Sequence, residues 1–148
     1  MYEAMVSLEV AKLLKEVGFD YPCNRYYDTN TEDGDAEATL SLWSAGVEIP
    51  NSKLLDTEFA CCTQTIARQF LREEMHLYVE IRFTNISIFP SLTIPRYYGV
   101  VWNLENGRWF YETTLETNHT AGFVEHDEAV NFTLLKLLQK ILKNKKEK

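Results

Sequence analysis

Apolar residues near the start of the chain recur at helical spacing. Val10, Leu13, Leu14 and Val17 stand at i, i+3, i+4 and i+7, while Glu9, Lys12, Lys15 and Glu16 take the opposite side. Ser7 is placed to cap this helix, Gly18 to end it in a left-handed conformation, and Phe19 to fold back onto its last turn. A second helical stripe, Ile66, Ala67, Phe70 and Leu71, predicts a helix that starts between Asp56 and Thr63 and ends near Glu74. Cys62 or Phe59 extends the stripe backwards. A third runs from about His126 to Lys143 on Val130, Leu134, Leu137, Leu138 and Ile141, broadened by Phe132, Leu135 and Leu142. Asp127 and Glu128 at its start and Lys140, Lys143, Lys145 and Lys146 at its end both suit the helix dipole.

Elsewhere the period drops to two. Leu77, Val79, Ile81 and Phe83 alternate with Tyr78, Glu80 and Arg82, the mark of a half-buried strand. Residues 97–115 hold Asn106-Gly107, a strong signal for a tight hairpin. A two-residue turn there sets Glu105 against Arg108, Leu104 against Trp109, Trp102 against Tyr111, Val100 against Thr113 and Tyr98 against Leu115. Tyr98, Val100, Trp102, Leu104, Trp109, Tyr111 and Leu115 then share one face, which helices are expected to cover. Asn85 to Pro95, with two prolines and five large apolar residues, reads as a loop between strands. Weaker patterns predict short strands at Cys23–Tyr27 and Ala38–Trp43, and an irregular stretch from Ser44 to Asp56.

The expected class is α+β, in the order α-β-β-α-β-β-β-α: a three-stranded or larger antiparallel sheet packed against about three helices. The chain reads as one domain, residues 1–148, with 143–148 a frayed basic tail. Hydrophobic residues make up 45% and charged residues 25%, which excludes wholesale disorder. The net charge of −7 opposes a nucleic-acid binder that works by neutralising phosphates. No apolar run reaches the roughly 20 residues of a membrane span, and the acids Glu3 and Glu9 do not suit an export signal. Three cysteines, Cys23, Cys61 and Cys62, form no disulfide framework, so free thiols and a cytoplasmic location are expected.

Each candidate for chemistry has a plainer reading. Asp28, Asn30, Glu32, Asp33 and Asp35 suggest calcium, but an EF-hand loop from Asp28 needs Gly at 33 and Glu at 39, where Asp33 and Thr39 stand. A solvated turn fits better. Glu73–His76 and Glu116–His119 have di-iron spacing, but neither lies within a helix of a bundle. His119, Glu125, His126 and Asp127 crowd the start of the last helix, where acids favour the dipole without any ligand. They remain the basis of an alternative reading as a metal-dependent or other small enzyme. Cys61-Cys62 would need a neighbouring base and a lowered pKa to act as a nucleophile, whereas one of the pair is expected to face the core, and no phosphate-binding or dinucleotide glycine loop is present. No catalytic residue, metal or cofactor is expected.

Apolar surface remains to be explained. The far side of the hairpin carries Tyr97, Val101 and Phe110, and the 85–95 loop adds Phe89, Leu92 and Ile94. These six are the candidate partner-binding residues, unless the early hairpin with Tyr26, Tyr27 and Trp43 covers them.

Ser7 to Asp20 matches a Ser-Leu-Glu-x-Ala-Lys-Leu-Leu-Lys-Glu-x-Gly-Phe-Asp helix, and Cys23, Tyr26, Tyr27 and Asp28 match a Cys-x-x-Tyr-Tyr-Asp segment. Leu71-Arg72-Glu73 before a short strand and Glu128-Ala129 opening the last helix complete the pattern. In these stretches, about half the chain, the sequence resembles a family of small uncharacterised proteins from Bacteroides and its relatives, found in genomes and prophage-like elements. It departs from them at Cys62-Thr63, where such proteins carry Pro-Thr. The resemblance implies a mobile-element setting and a cytoplasmic site, and no mechanism. The expectation is a non-enzymatic module that binds another protein or itself as a homodimer, with no membrane; weak nucleic-acid binding through the aromatic hairpin and lysine tail is the last alternative.

Overall fold

The computed structural model describes residues 4–29, 39–42, 47–89, 92–112, 123 and 125–146. The elements are α1 (Leu8–Glu16), β1 (Arg25–Asp28), β2 (Thr39–Leu42), a 3-10 turn (Asn51–Lys53), β3 (Glu58–Cys61), α2 (Gln64–Met75), β4 (Leu77–Phe89), β5 (Leu92–Asn103), β6 (Arg108–Glu112) and α3 (His126–Lys146). The class is α+β, as expected. The strands, however, form two antiparallel sheets rather than one, in the orders β2-β1-β3 and β4-β5-β6. The chain divides into two compact units, Met1–Ala67 with Ile141–Lys148, and Arg68–Lys140.

In the first unit Ser7 caps α1, its hydroxyl accepting from the Val10 N–H at 3.3 Å. Gly18 at φ +100° ends the helix. The Gly18 N–H reaches the Lys15 carbonyl (3.2 Å) and the Phe19 N–H the Leu14 carbonyl (2.8 Å), which returns Phe19 to the core. The strand β3 was not expected: Phe59 and Cys62 fall at helical spacing with Ile66, so the segment reads as a run-in to α2. It forms instead on the free edge of β1, in the register Tyr27↔Phe59 and Arg25↔Cys61. Two side chains tie the unit together. Buried Asn51 donates through Nδ2 to the Phe19 carbonyl (2.9 Å) and accepts the Ala60 N–H on Oδ1 (2.8 Å). Lys15 donates from Nζ to the Leu55 and Glu58 carbonyls, both at 2.8 Å, and lies 5.1 Å from the centre of the Phe59 ring.

In the second unit α2 ends at Met75, and the next residue, His76, takes the left-handed conformation (φ +57°) that turns the chain into β4. The segment expected as a loop is strand on both sides of residues 90–91, with Asn85↔Pro95, Ile86↔Ile94, Ser87↔Thr93 and Phe89↔Leu92 paired. Pro95 does not break this ladder, for a reason of parity. Tyr97 exchanges both backbone bonds with Phe123 (2.8 and 2.7 Å), so its N–H points away from β4. Residue 95, two back, points the same way, and a missing N–H there removes no bond to β4.

The β5–β6 turn is also longer than expected. Asn103 pairs with Arg108 and Trp102 with Trp109, leaving a four-residue turn over 104–107. Gly107 takes φ +69° and donates to the Asn103 carbonyl at 2.8 Å. Asn106 keeps a negative φ and uses its side chain to accept the Arg108 N–H (2.9 Å), so the type I′ geometry, which needs two positive φ values, does not arise. A bulge between Val101 and Trp102 then pairs Val101 with Tyr111 and Val100 with Glu112.

The helix α3 continues to Lys146, beyond the expected fraying at 143, with its lysines at the negative end of the dipole. Its buried side, Val130, Leu134, Leu137 and Leu138, matches the expected stripe. Thr133, fully buried, faces Gly99 so closely that a Cβ on Gly99 would overlap Thr133 Oγ1 and lie 2.6 Å from its Cγ2. The helix therefore lies over the Tyr97–Gly99–Val101 side of β5. This is the opposite side from the one that the aromatic pattern pointed to.

Candidate functional site

The β4–β5 register decides what each face carries. Leu77, Val79 and Ile81 fall on the face that α3 covers, opposite Asn103, Val101 and Gly99. The other face carries Tyr78 opposite Trp102, Glu80 opposite Val100 and Arg82 opposite Tyr98. Here the polar side chains organise the aromatic ones. Glu80 accepts from Arg82 Nε on one oxygen (2.6 Å) and from Trp102 Nε1 on the other (2.9 Å). The Arg82 guanidinium also lies 5.9 Å from the Trp102 ring centre. The Arg82 hydrogen bond, seconded by that of Trp102, holds the Glu80 carboxyl below its ordinary value. Glu80 and Tyr98 in turn raise Arg82.

Tyr78 is 40% exposed, while Tyr98, Trp102, Glu80 and Arg82 are half-buried. The result is a face on which Tyr78, Tyr98 and Trp102 stand around one fixed ion pair and the fully buried Val100, built on regular strand rather than on a loop. Arginine and aromatic side chains, partly desolvated and locked by their own bonds, are the residue types that anchor protein interfaces.

Comparison with family models, curated proteins and solved structures finds no match.

The residues singled out from the sequence lie elsewhere. Val101, expected on an open face, is fully buried. Tyr97 packs its ring 4.9 Å from Phe83 and edge-on at 5.5 Å from His126 of α3. Phe110 receives Lys140 of α3 at 4.9 Å from its ring centre, and its carbonyl accepts the same ammonium at 3.1 Å. Tyr97 and Phe110 thus meet α3, and Val101 is buried in the strand between β4 and β6. Phe89, Leu92 and Ile94 lie on strands β4 and β5, with Phe89 and Leu92 paired, and their side chains fall outside the described residues.

His126 stands 3.5 Å from Asp127 in the exposed first turn of α3, with Glu125 also exposed, while His119 lies outside the described residues, as do 30–38 of the acidic cluster. His76 is exposed and 3.8 Å from Glu105, not Glu73. Among the described residues no three His, Cys, Asp or Glu side chains are grouped to hold a metal ion, and no helix is long and apolar enough to cross a membrane.

The cysteines are free and buried. Burial pushes the Cys23 thiol up to about 12 and the Cys61 thiol to about 11, and raises Cys62 as well. Such thiols are packing residues, not nucleophiles. The folded chain is expected to leave all three unreacted with an aromatic disulfide reagent at pH 8, and to release three equivalents once unfolded in urea. Their linkage has a definite sign. Because the unfolded thiols lose protons near 9 and the folded ones hold them, the native state binds more protons above that pH. Stability should fall as pH rises from about 9 towards about 12, and a Cys61→Ala variant should show a shallower fall.

Proposed function

We propose that this chain acts by binding, either to another protein or to a second copy of itself, and not by catalysis. The observation that supports the reading is the ring-bearing sheet face on which Tyr78, Tyr98 and Trp102 surround the Glu80–Arg82 pair. It faces away from the layer that α3 covers, and its geometry is held before any partner arrives. The contact surface we assign is therefore this face, in place of the Tyr97–Val101–Phe110 side. The resemblance to proteins of prophage-like elements adds a setting in which such a module would work inside a bacterial cell.

A photo-crosslinking residue placed at position 78 tests this. Adducts, whether to a second copy or to another protein, should form from position 78 well above those from Leu55, which is 68% exposed but lies in the other unit. Equal yields from the two positions would contradict the assignment.

A further inference from the structure

We propose that the outer edge of β4 is a self-pairing edge, joined antiparallel to β4 of a second copy across a two-fold axis at Ile81. This rests on the reading of the chain as a binding module, and names its partner.

The first support is parity. Because Tyr97 turns its backbone bonds away from β4, its register partner Phe83 turns its own N–H and C=O away from β5, and alternation gives Ile81 and Val79 the same direction. Arg68 confirms it independently, since its Nη2 reaches the Val79 carbonyl at 2.7 Å from outside the ladder. That contact blunts the edge at Val79 and leaves a second lone pair on the oxygen. Beyond it, β4 is the last strand of its sheet, and among the described residues neither Ile81 nor Phe83 forms a backbone bond outside the β4–β5 ladder. Phe83 is 59% exposed. A strand of 13 residues whose outer edge pairs with no other strand among the described residues is a ready template for another strand.

The second support is charge, and it selects both occupant and register. A two-fold axis through Ile81 sets Ile81 against Ile81, Val79 against Phe83, and Glu80 against Arg82 twice over. Moved to Phe83, the axis would set Arg82 against Thr84 and Glu80 against Ile86. Moved to Val79, it would set Glu80 against Tyr78. Only the Ile81 axis makes the strand its own electrostatic complement. The two rows of rings then continue into one six-stranded surface, since each sheet has three strands.

Sedimentation velocity on the full chain decides the matter, with Glu80→Arg, Arg82→Glu and an equimolar mixture of the two. The wild type should dimerise with rising concentration. Each variant alone opposes like charges twice and should weaken the dimer on the order of a hundredfold. In the mixture the arginines at positions 80 and 82 of one chain meet the glutamates at positions 82 and 80 of the other. This restores a dimer, of mixed composition by native mass spectrometry. A wild type that stays monomeric, variants that dimerise like it, or a mixture that stays monomeric would overturn the proposal. Should a variant not fold, amide exchange in the wild type gives the same decision: Ile81 and Phe83 should become protected as concentration rises, and unchanged exchange would refute the pairing. A monomeric wild type that still gives adducts to other proteins from position 78 would remove self-pairing and leave the binding reading in place.

Discussion

Replacing Gly99 with alanine is expected to lower stability by about 2–3 kcal/mol, although alanine is ordinarily the better residue in a strand. The added Cβ would overlap Thr133 Oγ1 and come within 2.8 Å of Thr133 Cβ, in a place where both segments are fixed by packing. Thr133 cannot swing aside, because it is fully buried and its hydroxyl donates to the Ala129 carbonyl at 2.7 Å. Thr133→Ala alone should cost about 1–2 kcal/mol through the lost bond and methyl group. Together the two changes should cost less than their sum by at least about 1 kcal/mol, because alanine at 133 removes the atoms that the new Cβ would strike. Urea unfolding of the four proteins measures this coupling. Strict additivity would mean that α3 does not lie over Gly99.

The second large effect is expected at Asn51. Its side chain bonds the Phe19 carbonyl and the Ala60 N–H in a buried place, where no solvent can replace it. Asn51→Ala leaves one donor and one acceptor unsatisfied and should cost roughly 3 kcal/mol. Asn51→Asp is the sharper test. It is the same size and keeps an acceptor for Ala60, but it sets a carboxylate against the Phe19 carbonyl. It should be destabilising at neutral pH and recover part of the loss in acid, where the protonated group can donate again. If neither substitution moved the urea midpoint by more than the error of the measurement, Asn51 would be removed as the tie between the α1 C-terminus and β3.

What the sequence disclosed followed the strength of local signals. The helix from Leu8 with its Ser7 cap and Gly18–Phe19 ending was legible because every bond involved lies within a few residues. The stripe of α3 was legible for the same reason. The strand β3 was not, because Glu58–Cys61 has no alternation of its own and depends on an edge offered by β1, more than thirty residues earlier.

The misplacement of the helical layer has a traceable cause. Rings at Tyr98 and Trp102 suggested burial, yet β4 already stated which side is wet, through Tyr78, Glu80 and Arg82. Transferring that information to β5 requires the β4–β5 register. The register was hidden because Pro90 and Pro95 made two strands look like a long loop. Gly99 was the other available signal. A glycine within a strand marks close approach of another segment, and here that segment is α3. With the faces reversed, Val101 is interior and the half-buried Tyr97 and Phe110 become contacts of α3, and the tyrosines and tryptophan of the other face become the surface that needs explaining.

The most direct measurement is a set of nuclear Overhauser contacts from the Thr133 methyl group of the folded chain. Strong contacts to the Gly99 α-protons, with none to the Trp102 indole, would place α3 on the Tyr97–Gly99–Val101 face and leave the ring-bearing face clear of it. Contacts from Thr133 to Trp102 or Tyr98 would put the helix on the opposite face and contradict the binding surface assigned here.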